Sequence, residues 1–597
     1  MKNPTRSLKH SWVNEMKRIK LSKIKQLKLV AAEMLAEREN HDVVWKTIAE
    51  HILPYSPKFL GEEDGRNKGE RKDELIMNNV ATMAANTLQA GMMSGVTSPS
   101  RPWFKLGSPF SGNKTLSQDG QEWLDESTKR MYAVFAGSNL YQVLPSLYKV
   151  GGTFGIGAMV VEEDLESVIH CAELPIGSYA VATNKKGVVD VLYREINYTI
   201  RQLFDRFGKF DENDNLVNPE AFSDRAKSSY QTGKLDVQVV VCHHIMPNVD
   251  HDPDKIDPKY KRYSSLYYEK GATDAQGFLL ETGMDRFRVL CHRWEVSGED
   301  VYPVSCPGRV CIGDVKSLQH RQKKVWNALD QEINPAMMAS TDVTTIDARP
   351  LAGTARGVQG ITYVSPETMA QGGVRPLYNV QLNIPPILDD IQRHEDRINK
   401  AYFVDLFLMM ANSDRRQITA REIEERHEEK LLALGPVFEQ LDFDVLTPLI
   451  EITFEIMLNQ GLIERPPEEF QGQKLKIEYV SVMAQAQKIA SLAGIDRVSR
   501  YTGEVSSFAP DVLDKIDTDK LIEEYADVVG VTPKIMRSED DVEAIRASRE
   551  QAQQQQAMAE SMAQQAQTAK ALSETDMDKN SGLNQLLQQA NAGQVVQ

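Results

Sequence analysis

The sequence predicts an α+β fold on three observations. Of its 597 residues, 41% are hydrophobic and 26% charged, enough apolar surface for a large core spread over several modules. Helical periodicity runs through roughly residues 11–135 and returns from about residue 314. Between about residues 150 and 310, short β-branched and aromatic runs alternate with turn signals, the pattern of an antiparallel meander.

The elements follow in order. Ser11 to His51 reads as a helix, and Tyr55, Pro57 and the polar run Gly61 to Arg71 as a loop. A second helix, about Asp73 to Ser94, is rich in small residues and Met, and Pro99 and Pro102 stop it. A third spans roughly Ser117 to Phe135. The β runs are Ala158–Val161, Val188–Arg194, Val237–Ile245, Phe278–Glu281 and Phe287–Val296, expected to form a meander with one polar face. Asp314 is the expected N-cap of a helix to Ile333, with the apolar stripe Val315, Leu318, Val325, Leu329 and Ile333. A Thr-, Gly-, Pro- and Val-rich stretch, Pro335 to Pro376, precedes a helix from near Pro386 that carries Ile387, Ile391, Ile398 and Tyr402. Apolar Phe403 to Met410 leads into polar Asn412, Ser413, Asp414, Arg415, Arg416 and Gln417. The capping box Thr419-x-x-Glu422 opens a long helical region, kinked or interrupted at Pro436 and Pro448 and closed at Gly461. A short strand, Leu475–Val480, precedes further helices. From Gln551 the composition collapses to Gln, Ala and Met, which predicts a low-complexity helix and then a disordered tail.

Charge and motifs exclude more than they assign. The formal net charge is −16, of which Met1 to Ala32 contributes +8, so the rest carries −24. A body that acidic is not expected to bind nucleic acid broadly, because phosphate binding needs Lys and Arg to release counterions. The basic N-terminal segment is amphipathic without the apolar core of a secretory signal; it reads as an exposed helix, an intersubunit arm, or a nucleic-acid or membrane contact. Five cysteines, an odd and sparse set, predict free thiols in a reducing compartment. Cys306 and Cys311 have no second pair at ligand spacing, so neither a metal nor another cofactor is expected. No apolar run reaches the roughly 18 residues that cross a bilayer, so a soluble cytoplasmic protein without a membrane partner is expected.

An ATP-driven motor needs a phosphate loop, and G-x-x-x-x-G-K-[ST] is absent: Gly233-Lys234 is followed by Leu235. The glycines from Gly151 to Gly157 have the wrong spacing for a dinucleotide fingerprint and suit a tight turn or helix packing. His243 and His244 are adjacent on a β run and point to opposite faces, so they cannot easily share a metal. Asp389 and Asp390 read as a solvated helix face, and Gly91 with Gly95 as close helix packing. No nucleophile elbow or H-E-x-x-H motif appears. The residues describe a large acidic α+β protein without a visible catalytic site.

Four blocks carry a resemblance. They are Gly91-Met92-Met93-Ser94-Gly95-Val96-Thr97-Ser98-Pro99-Ser100-Arg101-Pro102-Trp103-Phe104-Lys105-Leu106; Phe403-Val404-Asp405-Leu406-Phe407; Thr419-Ala420-Arg421-Glu422-Ile423 with Glu425-Arg426 and Leu434-Gly435-Pro436-Val437; and Glu478-Tyr479-Val480-Ser481 with Ala484-Gln485-Ala486-Gln487. In order and spacing they resemble the head-to-tail connector (portal) family of short-tailed bacteriophages, over roughly residues 30–545.

The resemblance implies a portal fold assembled as a homo-oligomeric ring of twelve copies, a structural part and not an enzyme. After a basic arm (1–29) would come an α/β wing (30–313) and a first stem helix (314–334). A small clip (335–385), a second stem helix (386–407) and a tunnel loop (408–418) would follow. A long kinked helix would return to the wing (419–475), ahead of a helical crown (476–550) and the Gln-rich helix and tail (551–597). The partners implied are double-stranded DNA held non-specifically in the channel, the terminase large subunit, then a tail adaptor or nozzle, with scaffolding and major capsid proteins outside. The place implied is a capsid vertex of the virion, reached from the host cytoplasm. The channel residues implied are Asn412, Ser413, Asp414, Arg415, Arg416 and Gln417, where two guanidiniums can touch phosphates without reading sequence. The alternatives are another virion structural protein, such as a tail adaptor, and a packaging enzyme, which the missing phosphate loop disfavours.

Overall fold

The computed structural model describes residues 22–55, 72–107, 118–212, 216–273, 276–333, 337–338, 375–376, 384–412, 434–467, 470, 476–480, 498–504, 520–522 and 539–573. The chain divides into two units, Met1–Ser491 and Leu492–Gln597.

In the first unit, Ser22 caps helix α1 (Lys23–His51) by accepting from the Lys25 amide. Helix α2 (Val80–Gly95) starts seven residues after the expected Asp73. The reason is local: the amides of Met77 and Asn78 donate to Gln319 Oε1 at 2.6 and 2.8 Å, and Asn78 Oδ1 takes the Val80 amide at 2.9 Å. Those bonds hold the segment outside a helix. Strand β1 (Phe104–Gly107) and helix α3 (Gln118–Gly137) follow. Helix α4 (Leu140–Phe154), unanticipated from sequence, ends at Gly155 in the left-handed region (φ +91°). The glycine run is therefore a helix end and packing site, with Gly151 against His292 and Gly152 against Leu88.

Strands β2 (Ile156–Asp164), β3 (Val168–Leu174), β4 (Tyr179–Thr183) and β5 (Val189–Thr199) come next, then helices α5 (Ile200–Phe207) and α6 (Asp224–Gln231). Strands β6 (Gln238–Pro247), β7 (Tyr263–Glu269), β8 (Leu280–Met284) and β9 (Val289–Arg293) complete the region. β4 to β8 form an antiparallel meander in chain order, as the sequence predicts, while β3-β2-β9 form a separate three-stranded sheet.

The expected polar face is absent from the meander. Its central strands are buried on both sides. On one side α1 lays Leu27, Val30 and Met34 over Cys242, Leu266 and Tyr268; on the other Phe204 and Phe222 cover Val241 and Tyr267. Polar side chains of the meander are satisfied inside. His243 accepts from Arg194 Nε at 2.9 Å, pairs with Ser265 at 2.9 Å and stacks on Tyr267, while His244 faces Tyr193 and Tyr268.

Helix α7 (Pro307–Ile333) begins before Asp314, which is not its N-cap. Pro307 suits a first turn, where no amide hydrogen is needed. Beyond it, β10 (Met337–Met338) pairs antiparallel with β11 (Arg375–Pro376). Helix α8 (Ile384–Ala401) and helix α9 (Val404–Asn412) follow. Residues 434–441 are helical, a π turn covers Asp442–Leu446, and helix α10 (Thr447–Asn459) has Pro448 in its first turn. Gly461 (φ +73°) is the C′ residue of a Schellman motif: its amide reaches Leu458 O at 3.1 Å and that of Leu462 reaches Met457 O at 2.9 Å. Strand β12 (Lys476–Tyr479) pairs antiparallel with β1. The capping box at Thr419 and Glu422 lies outside the described residues.

In the second unit the described residues include helix α11 (Glu539–Ser573), which starts twelve residues before the low-complexity stretch that the sequence marked.

A buried ion pair locks β9 to the π turn. Arg293 and Asp444, with side chains only 1% and 4% exposed, meet through two bonds of 2.9 and 2.8 Å. Gln440 Nε2 also donates to Asp444 at 2.8 Å, and Arg293 donates to Gly187 O at 2.8 Å. Asp444→Ala strands a buried guanidinium and should cost about 3–5 kcal/mol in denaturant unfolding, whereas Arg293→Met with Asp444→Leu should cost far less. Equal losses would show that the charge itself is not what the site depends on.

Burial holds His244 and His292 down at about 3, and His243 well below the usual imidazole range. The unfolded chain protonates these groups near about 6.5, so stability that is complete above that pH is lost as the pH falls towards about 3. Glu37, Asp42 and Glu173, whose carboxyls desolvation raises, oppose the trend as they take up protons more readily in the fold than in the unfolded chain. The denaturation midpoint should therefore drop between about pH 7 and about pH 5.5, and drop less in His292→Leu.

Candidate functional site

The expected site depends on a helical hairpin. On α7 the apolar positions Val315 and Leu318 are buried, and on α8 Ile391 and Ile398 are. Asp314 accepts from His394 Nδ1 at 2.7 Å and from Arg397 at 3.3 Å, and Arg321 pairs with Asp390. These pairings climb one helix as they descend the other, so α7 and α8 run antiparallel. Asp390 is thus partnered across the hairpin, whereas Asp389 is the exposed half of an i,i+4 pair with Arg393.

Gln319 fixes the hairpin to the start of α2. Its Oε1 takes the two amides of Met77 and Asn78, and its Nε2 donates to Asn78 O at 2.7 Å. Asn78 Nδ2 in turn reaches Glu395 of α8 at 2.8 Å. Farther along, the stripe leaves the core: Trp326 is 51% exposed, Ile333 75% and Leu388 53%. The short β10–β11 pairing then joins the two strands of chain on either side of residues 339–374.

After α8 the chain bends at Tyr402-Phe403. Phe403 is left-handed (φ +56°), and a continuous helix through residue 407 is therefore excluded. Tyr402, Leu406 and Phe407 are buried. The Phe407 ring lies where a side chain on Gly91 would have to be, so glycine there is what admits α9 against α2. This is the close packing expected of Gly91.

Helix α9 runs through Leu408 to Asn412, residues expected in a loop. Asn412 is the last described residue of the helix; Ser413, Asp414, Arg415, Arg416 and Gln417 lie outside the described residues. The hairpin and α9 set the point from which that polar stretch leaves. Sequence reasoning missed three of the positioning residues: Gln319, Phe403, and Asp314 in its cross-helix role. The i,i+3 pair His394 and Arg397, both facing one acid, was the available signal for the last.

Reactive chemistry finds no purchase in the described residues. No group of three or more His, Cys, Asp or Glu there could hold a metal ion. All five cysteines are free and buried, and burial pushes the thiols of Cys171, Cys291, Cys306 and Cys311 up to about 12. They stay protonated at neutral pH, poor as nucleophiles or ligands. No helix is long and apolar enough to cross a membrane, among the described residues.

Comparison with known proteins supplies what the chemistry does not. A curated portal protein of Salmonella phage epsilon15 is 40% identical over 566 residues, 94% of this chain and 98% of that protein. A probable portal protein of Bordetella phage BPP-1 is 36% identical over 551 residues, 92% of this chain and 95% of that protein. The family model described as bacteriophage head to tail connecting protein matches residues 24–536, from the first turn of α1 through the hairpin, α9 and β12. Hairpin, bend and paired strands thus all lie within one continuous family match, and the chain belongs to the bacteriophage head to tail connecting proteins.

Proposed function

We propose that this chain is a portal protein: a ring of twelve copies at one capsid vertex, through which genomic DNA enters during packaging and leaves at ejection. The observation that carries the reading is the full-length likeness to two relatives with portal names. The antiparallel α7–α8 pair fits the role of stem and the segment 335–385 that of the clip. Residues 408–412 of the stretch assigned to the tunnel loop are helical, and the rest of it lies outside the described residues. The clip would dock the terminase large subunit and later the tail adaptor, with scaffolding and major capsid proteins against the outer ring.

The electrostatics suit a conduit. Twelve copies at −16 each carry about −192 before counterions, a wall that repels phosphates and lets DNA slide. Arg415 and Arg416 would supply weak backbone contact at the constriction. The role is mechanical: the chain conducts DNA, and the energy for movement comes from the terminase.

Negative-stain micrographs of the purified chain should show rings with an axial hole; a monodisperse monomer under assembly conditions would sink the reading. Arg415→Ala with Arg416→Ala should leave those rings intact and reduce the DNA packaged or retained per head. Normal packaging and retention by that double variant would remove the two arginines from the channel.

A further inference from the structure

One face of α7 carries charge that nothing among the described residues neutralises. Lys316, His320, Lys323, Lys324 and Asn327 are all exposed. Their spacing keeps them on one side of the helix, over about 16 Å of its length. Among the described residues, none of the three lysines or His320 makes an ion pair or a side-chain hydrogen bond. Between Lys316 and Asn327 the helix has no acid. Asp314, two residues earlier, is turned towards α8.

The neighbouring cations differ. Arg321, Arg393 and Arg397 each have a carboxylate partner within the hairpin. In a chain of net charge −16, three lysines on one face without a partner among the described residues are suited to an anion from outside.

We propose that this face of α7 binds the phosphodiester backbone of duplex DNA, which deepens the portal reading and rests on it. A duplex presents a negative charge about every 1.7 Å of its axis, so a row of flexible lysines finds phosphates in any register and releases them easily. The hairpin of a second copy is a poorer partner. Asp389 and Asp390 are already paired with arginines, Glu395 accepts from Asn78, and Asp396 accepts from Gln392 at 3.0 Å. The α7 face would therefore grip DNA in addition to the tunnel loop and share the load between two levels.

The test is Lys316→Gln, Lys323→Gln and Lys324→Gln combined in the full chain. Light scattering reads assembly, and fluorescence anisotropy with a short random-sequence duplex reads binding across a salt series. The triple variant should assemble as the wild type does and bind more weakly. Its log–log salt slope should be shallower by about 0.9 for each phosphate that the variant no longer neutralises. An assembled variant with wild-type affinity and slope overturns the proposal. So does a folded variant that no longer assembles, because the face would then join copies instead of gripping DNA. Failure of the portal reading shows separately, as a wild-type chain that forms no ring.

Discussion

The buried pair of Arg293 and Asp444 is the constraint on which the first unit turns. It joins the last strand of the three-stranded sheet to a helix that arrives 151 residues later. A charge so deeply buried is tolerable only with a bidentate partner, which Asp444 supplies, and the Gly187 carbonyl takes a further bond while Nη1 has no partner among the described residues. The π turn provides the aim. Pro448 has no amide hydrogen to give to the carbonyl of Asp444, so a regular helix is already interrupted there. The chain responds with one wider turn, in which the Thr447 amide bonds to Asp442 O. Thr447 Oγ1 donates to Asp442 Oδ1 at 2.7 Å and meets the Tyr479 hydroxyl at 2.8 Å, which also ties the turn to β12.

A second constraint concerns the sheets, whose open edges would otherwise invite pairing with other chains. Side chains occupy several of them. Asn139 exchanges two bonds with the backbone of Cys171 on β3, at 2.8 and 2.7 Å. On β4, the Tyr302 hydroxyl takes the Val181 amide at 3.0 Å and Arg38 donates to Tyr179 O. Beside β1, the Tyr132 hydroxyl accepts the amides of Trp103 and Phe104 and donates to Phe104 O, each at 2.7 Å. Blocked edges of this kind leave contact with other chains to side-chain surfaces instead of strand pairing.

What the sequence makes legible follows from the range of the interaction concerned. Gly461 is readable because a Schellman stop is decided within one turn. Strands β5 and β6 are readable because β-branched runs state a local preference. Asp314 is misread because a short acid before a helical run resembles a cap, while its true partners, His394 and Arg397, lie 80 and 83 residues away. The polar face of the meander is misread for a similar reason. Nothing local to His243 and His244 states that Arg194, Ser265 and Tyr268, from other strands, satisfy them inside. Of the polar stretch after α9, the residue types are plain in the sequence, and the structure adds the helix that leads to it.

The bend at Phe403 shows how packing overrides local preference where α8 gives way to α9. A left-handed aromatic residue costs on the order of 1–3 kcal/mol, and no sequence rule predicts it. Burial of Tyr402, Leu406 and Phe407 supplies about 1.5–3 kcal/mol for each side chain, several times the strain. The notch at Gly91 is what makes that burial available to Phe407. A straight helix from Ile384 would relieve the strain but would carry Phe407 away from its notch. The direction of α9, and so the origin of the polar stretch beyond Asn412, is therefore held by core packing on α2 and not by the stretch itself. The energy that holds α8 and α9 is thus stored in the core against α2, independent of whatever the polar stretch beyond Asn412 contacts.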